Sequence, residues 1–163
     1  IYNTPKVMHM NPVTKKQVME SIETFRLPRY HELPTMGLYL EQTSKYISEY
    51  LSCLGDYALT GSMISNYVKK GLVANPVKKQ YDREHIARLL VIAVSKTVLS
   101  LEEIQQLLAG HSEGQQGYEA FCATLLGQLE EAFAKPPRGL LPDTMCAVAQ
   151  KLYLERTFRE TEA

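Results

Sequence analysis

At 163 residues the chain suits one domain, or a compact domain with a helical appendage. With 45% hydrophobic and 22% charged residues it is too apolar to be disordered throughout. Its longest apolar run, Leu89 to Val94, is far too short to cross a membrane. The net charge of zero hides an uneven distribution. Between Gly61 and Lys96 stand Lys69, Lys70, Lys78, Lys79, Arg83, Arg88 and Lys96 against Asp82 and Glu84 alone. From Thr97 onward ten acidic residues face five basic ones. A basic middle followed by an acidic tail region fits a DNA-binding module joined to an interaction module.

Residues 1 to 10 carry no clear pattern, and Met8 or Met10 is a candidate start, with the residues before it either native or an extension. Val18, Ile22 and Phe25 recur at helical spacing, which predicts a helix over Thr14 to Phe25 with Thr14 as N-cap. Pro28 and Pro34 bracket an extended connector. A second helix is expected over Gly37 to Leu54, ended by Gly55. Thr60 is placed to cap a short helix, Gly61 to Lys70, that Gly71 terminates. Leu72 to Tyr81 contains Pro76 and reads as a short two-stranded wing tipped by Lys78 and Lys79.

Asp82 then caps a helix from Arg83 to about Thr97 that is apolar almost all round, a central support. Ser100 with Glu103 forms a capping box opening a helix to Leu108. After a break through His111 to Gly117, amphipathic spacing predicts a helix over Tyr118 to Ala134. A stiff turn at residues 135–139 leads to the last helix, Asp143 to Arg159.

The short helix carries the functional argument. At about 100° per residue, Ser62, Ser65, Asn66 and Lys69 share one face, with Lys70 at its edge. Ile64, Tyr67 and Val68 fall opposite, so Tyr67 is expected to pack rather than stack on a base. An asparagine can read adenine in the major groove, serines reach base edges or phosphate, and lysines supply phosphate attraction. Lys78, Lys79 and Arg83 extend that basic surface.

Catalytic chemistry has no comparable signal. His9, His31, His85 and His111 are scattered, without partners at metal or triad spacing. His85 reads as a packed or surface histidine. Glu102–Glu103 and Glu130–Glu131 are sequence neighbours and point apart on a helix. Cys53, Cys122 and Cys146 lack metal-ligand spacing and are expected to be buried thiols in a reducing cytosol. The expectation is a cytoplasmic protein that is not an enzyme and takes no metal or cofactor, with no small-molecule effector legible.

Tyr67 with Gly71 and Leu72, the lysine pair, Tyr81, the Ile86–Leu89–Ile92 spacing and Ser100-Leu101-Glu102-Glu103-Ile104 together resemble the MerR-type winged helix. That resemblance implies a recognition helix backed by a basic wing. Ser65 stands where that family has an arginine, and Asn66 where a tyrosine is usual, so neither operator distortion nor metal sensing is carried over. More of the chain, from Phe25 to about Leu108, resembles a bacterial family, domain of unknown function 1836. The shared features are Leu27-Pro28-Arg29-Tyr30-His31-Glu32-Leu33-Pro34, Leu38-Tyr39-Leu40-Glu41-Gln42, and Met63 to Leu72.

The expected architecture is mostly α: a MerR-like winged helix-turn-helix with a small β-ribbon wing plus additional N- and C-terminal helices. Residues 1–36 would form an N-terminal helix and connector, 37–110 the DNA-binding domain, and 111–163 a helical interaction or dimerisation region. The expected partners are double-stranded DNA and a second copy of the chain, with no membrane. The alternative is a protein-interaction module of helix-turn-helix shape that does not bind DNA.

Overall fold

The computed structural model describes residues 12–135 and 138–161. The suggested start at Met8 or Met10 lies outside them, as do Pro136 and Pro137 of the expected stiff turn. Among the described residues seven α-helices follow in order: α1 Pro12–Glu23, α2 Leu40–Leu51, α3 Gly61–Lys69, α4 Arg83–Ser95, α5 Leu101–Ala109, α6 Gly114–Ala134 and α7 Leu140–Thr161. Single 3-10 turns occupy Tyr30–Glu32 and Ser52–Leu54. The chain divides into two compact units: Phe25–Gly127, and a second made of α1, the end of α6 and α7.

In the first unit α4 is the buried element expected from its composition. Ile86, Leu89, Leu90, Ile92 and Ala93 are all fully buried, and Ala87 and Val91 nearly so. Such all-round burial needs neighbours on several sides, and the core supplies Phe25, Leu33, Ile47, Leu59, Ile64 and Ile104. Helix α2 packs against both α3 and α4. It presents Ile47 and Leu51 to the core, and Ser44 Oγ donates to the Leu59 carbonyl 2.5 Å away, tying it to the segment that leads into α3.

The helix starts follow local chemistry. Met63 N–H donates to Thr60 Oγ1 at 3.2 Å, and His85 N–H to Asp82 Oδ1 at 3.1 Å. At α5 the Ser100–Glu103 box closes in both directions, at 2.8 and 3.2 Å. Each satisfies orphan N–H groups of a first turn.

The expected β-ribbon wing is not there. Between Leu72 and Tyr81 the described structure holds no strand. Val77 and Gln80 form a single bridge, closed by Gln80 N–H to the Val77 carbonyl at 2.9 Å. Tyr81 pairs instead with Leu38, just ahead of α2, through two hydrogen bonds of 2.8 and 2.9 Å. A ribbon needs successive pairs along two strands. Here Pro76 has no N–H to give and Tyr81 is claimed by a residue 43 positions earlier. The MerR-type resemblance therefore does not extend to the wing, while the mostly helical architecture stands.

Other boundaries moved for identifiable reasons. Helix α2 begins at Leu40, not Gly37, because Leu38 is held extended by Tyr81. The connector contains a 3-10 turn, capped by Arg29 N–H on Glu32 Oε2 at 2.7 Å. Helix α1 starts at Pro12, which puts Thr14 inside it rather than at its N-cap. Helix α7 starts at Leu140, since Pro142 is tolerated in a first turn, and Asp143 accepts from Arg138 and Gly139 N–H at 3.2 and 3.3 Å. Boundaries drawn at 36/37 and 110/111 fall inside the first unit. Tyr118 on α6 is 3% exposed and donates its hydroxyl to the Pro28 carbonyl at 2.8 Å, so both ends of that unit meet there.

In the second unit α7 has no buried residue. Leu140, Leu141, Met145, Val148, Leu152 and Tyr153 are all exposed. The cysteines are not the buried thiols expected: Cys53 and Cys146 are exposed and Cys122 is half-buried. None of the three is disulfide-bonded.

Candidate nucleic-acid interface

Helix α3 is anchored by Ile64 and Tyr67, 0% and 4% exposed, and by Leu72 and Val73 just beyond its end. Burial pushes the Tyr67 phenol above its ordinary range, which fits a packed side chain rather than a platform for a base. Anchoring on that side turns Ser62, Ser65, Asn66, Lys69 and Lys70 outward, and all five are exposed. The 3.6-residue period alone located this face. Gly71, at φ 76°, closes the helix in the left-handed conformation that glycine adopts freely.

Charge along α3 is graded. An added Cβ at Gly61 would lie 3.0 Å from Glu41 Oε1, so a carboxylate of α2 already sits at the positive N-terminal end of the helix dipole. The lysines cluster at the other end. Attraction for an external anion therefore rests on Lys69 and Lys70 and not on the helix N-terminus.

Lys78 and Lys79 form the tip of the Val77–Gln80 turn, with φ of 49° and 63°. Positive φ at both central residues is the geometry that favours Asn-Gly, and side chains with a Cβ hold it at a cost of roughly 1 kcal/mol or more each. Replacing the pair, Lys78→Asn with Lys79→Gly, should relieve that strain. The expected result is a stability gain of about 1 kcal/mol in urea unfolding, with an unchanged far-ultraviolet spectrum.

Arg83 does not join this surface. Its guanidinium lies 5.2 Å from the Tyr30 ring centroid and donates to the Leu33 and His31 carbonyls at 3.1 and 3.4 Å. Tyr30 in turn donates its hydroxyl to Glu84. Arg83 thus clamps the connector onto the start of α4. Its charge looked available in sequence because those partners lie about fifty positions earlier.

His85 is packed, 7% exposed, with its Nδ1 2.7 Å from Asp82 Oδ1. Partial burial works to raise the Asp82 carboxyl, but hydrogen bonds from the His85 backbone and ring outweigh it and hold that group below its ordinary range. This is a cap, and its stabilisation would fade only as pH falls below the usual carboxylate range. Among the described residues no group of three or more His, Cys, Asp or Glu is placed to hold a metal ion. Among them also, no helix is long and apolar enough to cross a membrane.

One feature escaped sequence reasoning altogether. Arg88, His111 and Glu113 line a common cavity behind the end of α3. The histidine and arginine are 23 positions apart, at no motif spacing.

No curated protein and no solved structure matches the chain. One family model does, over residues 28–126, which takes in α2 to α5, most of α6 and the lysine turn. With well over half of its length matched, the chain belongs to the family described as domain of unknown function DUF1836.

Proposed function

We propose that the chain is a sequence-specific double-stranded DNA-binding protein, acting as a transcriptional regulator, with α3 entering the major groove. The observation that carries this reading is the outward face of α3: Ser62, Ser65, Asn66, Lys69 and Lys70 are all exposed, and no acidic residue lies on the helix. The opposite face is locked in the core, so these side chains are presented on a rigid element. Asn66 supplies paired hydrogen bonds to an adenine edge, and Ser62 and Ser65 reach base edges or phosphates. Lys69, Lys70, Lys78 and Lys79 supply the counterion-release attraction. The strained lysines at positions 78 and 79 add support, since a turn built for stability alone would carry asparagine and glycine there.

The test is fluorescence anisotropy on a labelled random duplex across a salt series. Each neutralised phosphate contributes a slope of about −0.9 in log K against log salt, so four lysines predict a slope of roughly −3 to −4. Lys69→Ala and Lys78→Ala should each flatten it by about one. Slopes and affinities that both variants leave untouched would sink the assignment of this face.

One observation favours a second reading, a protein-interaction module of the same shape. Helix α7 exposes six large apolar side chains and buries none, and an isolated helix gains little stability without a packed face. The two readings meet if α7 joins two copies of the chain on a two-fold operator. Light scattering on size-exclusion fractions that shows a strict monomer, with and without duplex, removes the dimer.

A further inference from the structure

A cavity of about 410 Å³ lies between the segment that follows α3, the flank of α4 and the loop leading into α6. That volume is in the range of small-molecule sites, roughly 300–1,000 Å³. Its lining includes the apolar residues Leu72, Val73, Val91 and Leu108 together with Arg88, His111 and Glu113.

Arg88 is held rigidly. Its Nε donates to the Leu72 carbonyl at 2.6 Å, which leaves the outer guanidinium nitrogens to face a partner. Nη1 donates to Glu113 Oε1 at 2.9 Å. The Glu113 side chain is 80% exposed while that of Arg88 is 28% exposed. A fixed arginine thus faces a carboxylate that is mostly in water and lightly held. His111 Nε2 is buried and has no hydrogen-bond partner among the described residues. A buried nitrogen left unpaired is costly, and an incoming group that satisfies it gains accordingly.

We propose that this cavity binds a small carboxylic acid with an apolar body. The acid's carboxylate takes the place of Glu113 on Arg88 and accepts from His111 once a turn of the imidazole brings its buried Nε2 to the cavity, and its hydrocarbon part lies against Leu72, Val91 and Leu108. Glu113 is the internal stand-in for the ligand's own charge. The planar guanidinium suits a carboxylate's two oxygens. A phosphate ester fits less well, because Asp82 and Glu84 also border the cavity and repel a dianion more than a monoanion. Hydrogen bonds from the His85 ring and the Tyr30 hydroxyl hold these two carboxylates in place without cancelling their charge, so the site favours a ligand with a single negative charge.

The site stands apart from the DNA reading, and its test contains no DNA. Octanoate and phenylacetate are titrated into the full chain beside octanamide and phenylacetamide, with the methyl resonances of Leu72, Val91 and Leu108 as readout. The acids should shift these methyls saturably, and the isosteric amides should bind at least about tenfold more weakly. Glu113→Gln, on an exposed side chain that leaves the core intact, should tighten the acids about three- to tenfold by removing their internal competitor. His111→Phe should weaken them by a similar factor. Three results overturn the proposal. One is no saturable shift from either acid up to about 10 mM in wild type and Glu113→Gln alike. The others are an equal response to acid and amide, or an acid affinity that Glu113→Gln leaves unchanged.

Discussion

Gly117→Ala and Gly127→Ala, two identical changes within α6, are expected to act in opposite directions. At Gly117 an added Cβ would stand 1.6 Å from the Ser112 carbonyl oxygen and 2.5 Å from its carbon. Those are backbone atoms of the loop that closes over the first turn of α6, and no rotamer change moves them aside. The loop must shift, together with Glu113 and the Tyr118 contact to Pro28. Overpacking with backbone displacement costs typically up to 3 kcal/mol, and this clash belongs at or above the upper end, about 3 kcal/mol. At Gly127 nothing lies within 4 Å of the added atom. There alanine only removes glycine's backbone entropy from a helix interior, a gain of about 1 kcal/mol. Thermal or urea unfolding of the two variants decides the matter. A Gly117→Ala protein as stable as wild type would mean that the loop does not sit where the structure puts it.

The contrast between the two glycines marks the limit of what local sequence encodes in this chain. Both glycines sit in ordinary-looking stretches, and Gly117 reads as part of a break in the sequence, because a close approach between residues 112 and 117 leaves no compositional mark. Features governed by neighbours three or four positions away were legible. The caps at Thr60, Asp82 and Ser100 formed as their spacing implied, and the buried and exposed faces of α3 fell where a 3.6-residue period puts them. Features governed by distant partners were not legible. The ribbon expected at 72–81 failed because Tyr81 chose Leu38. Arg83 reads as surface charge in the sequence because its carbonyl partners at His31 and Leu33 are remote along the chain. The cavity assembled by Arg88, His111 and Glu113 was invisible for the same reason: each of these residues is unremarkable until the fold brings it to the others. The exposed cysteines make the converse point, since residue type alone carries only an average burial.

Leu89→Ala should be among the most damaging single truncations in the first unit. The side chain is 0% exposed on a helix whose neighbours Ile86, Leu90 and Ile92 are buried to the same degree, so no flank is free to collapse into the space left behind. The loss of transfer energy and the cavity together place the cost at about 3–5 kcal/mol. For a unit of this size each kcal/mol is worth roughly 4–8 °C, so the midpoint should fall by 12 °C or more, about the margin of many domains. The consequence reaches both proposed sites. Arg88, adjacent in sequence, points from the same helix to the Leu72 carbonyl just past α3, and α2 bridges α4 to α3. If the unit unfolds as one cooperative body, the chemical shifts of α3 and of the cavity methyls should melt together with α4 in Leu89→Ala. If the α3 resonances instead survive past the loss of the α4 signals, the DNA-facing helix is supported independently of α4. The surface built on it would then have to be explained from α2 alone.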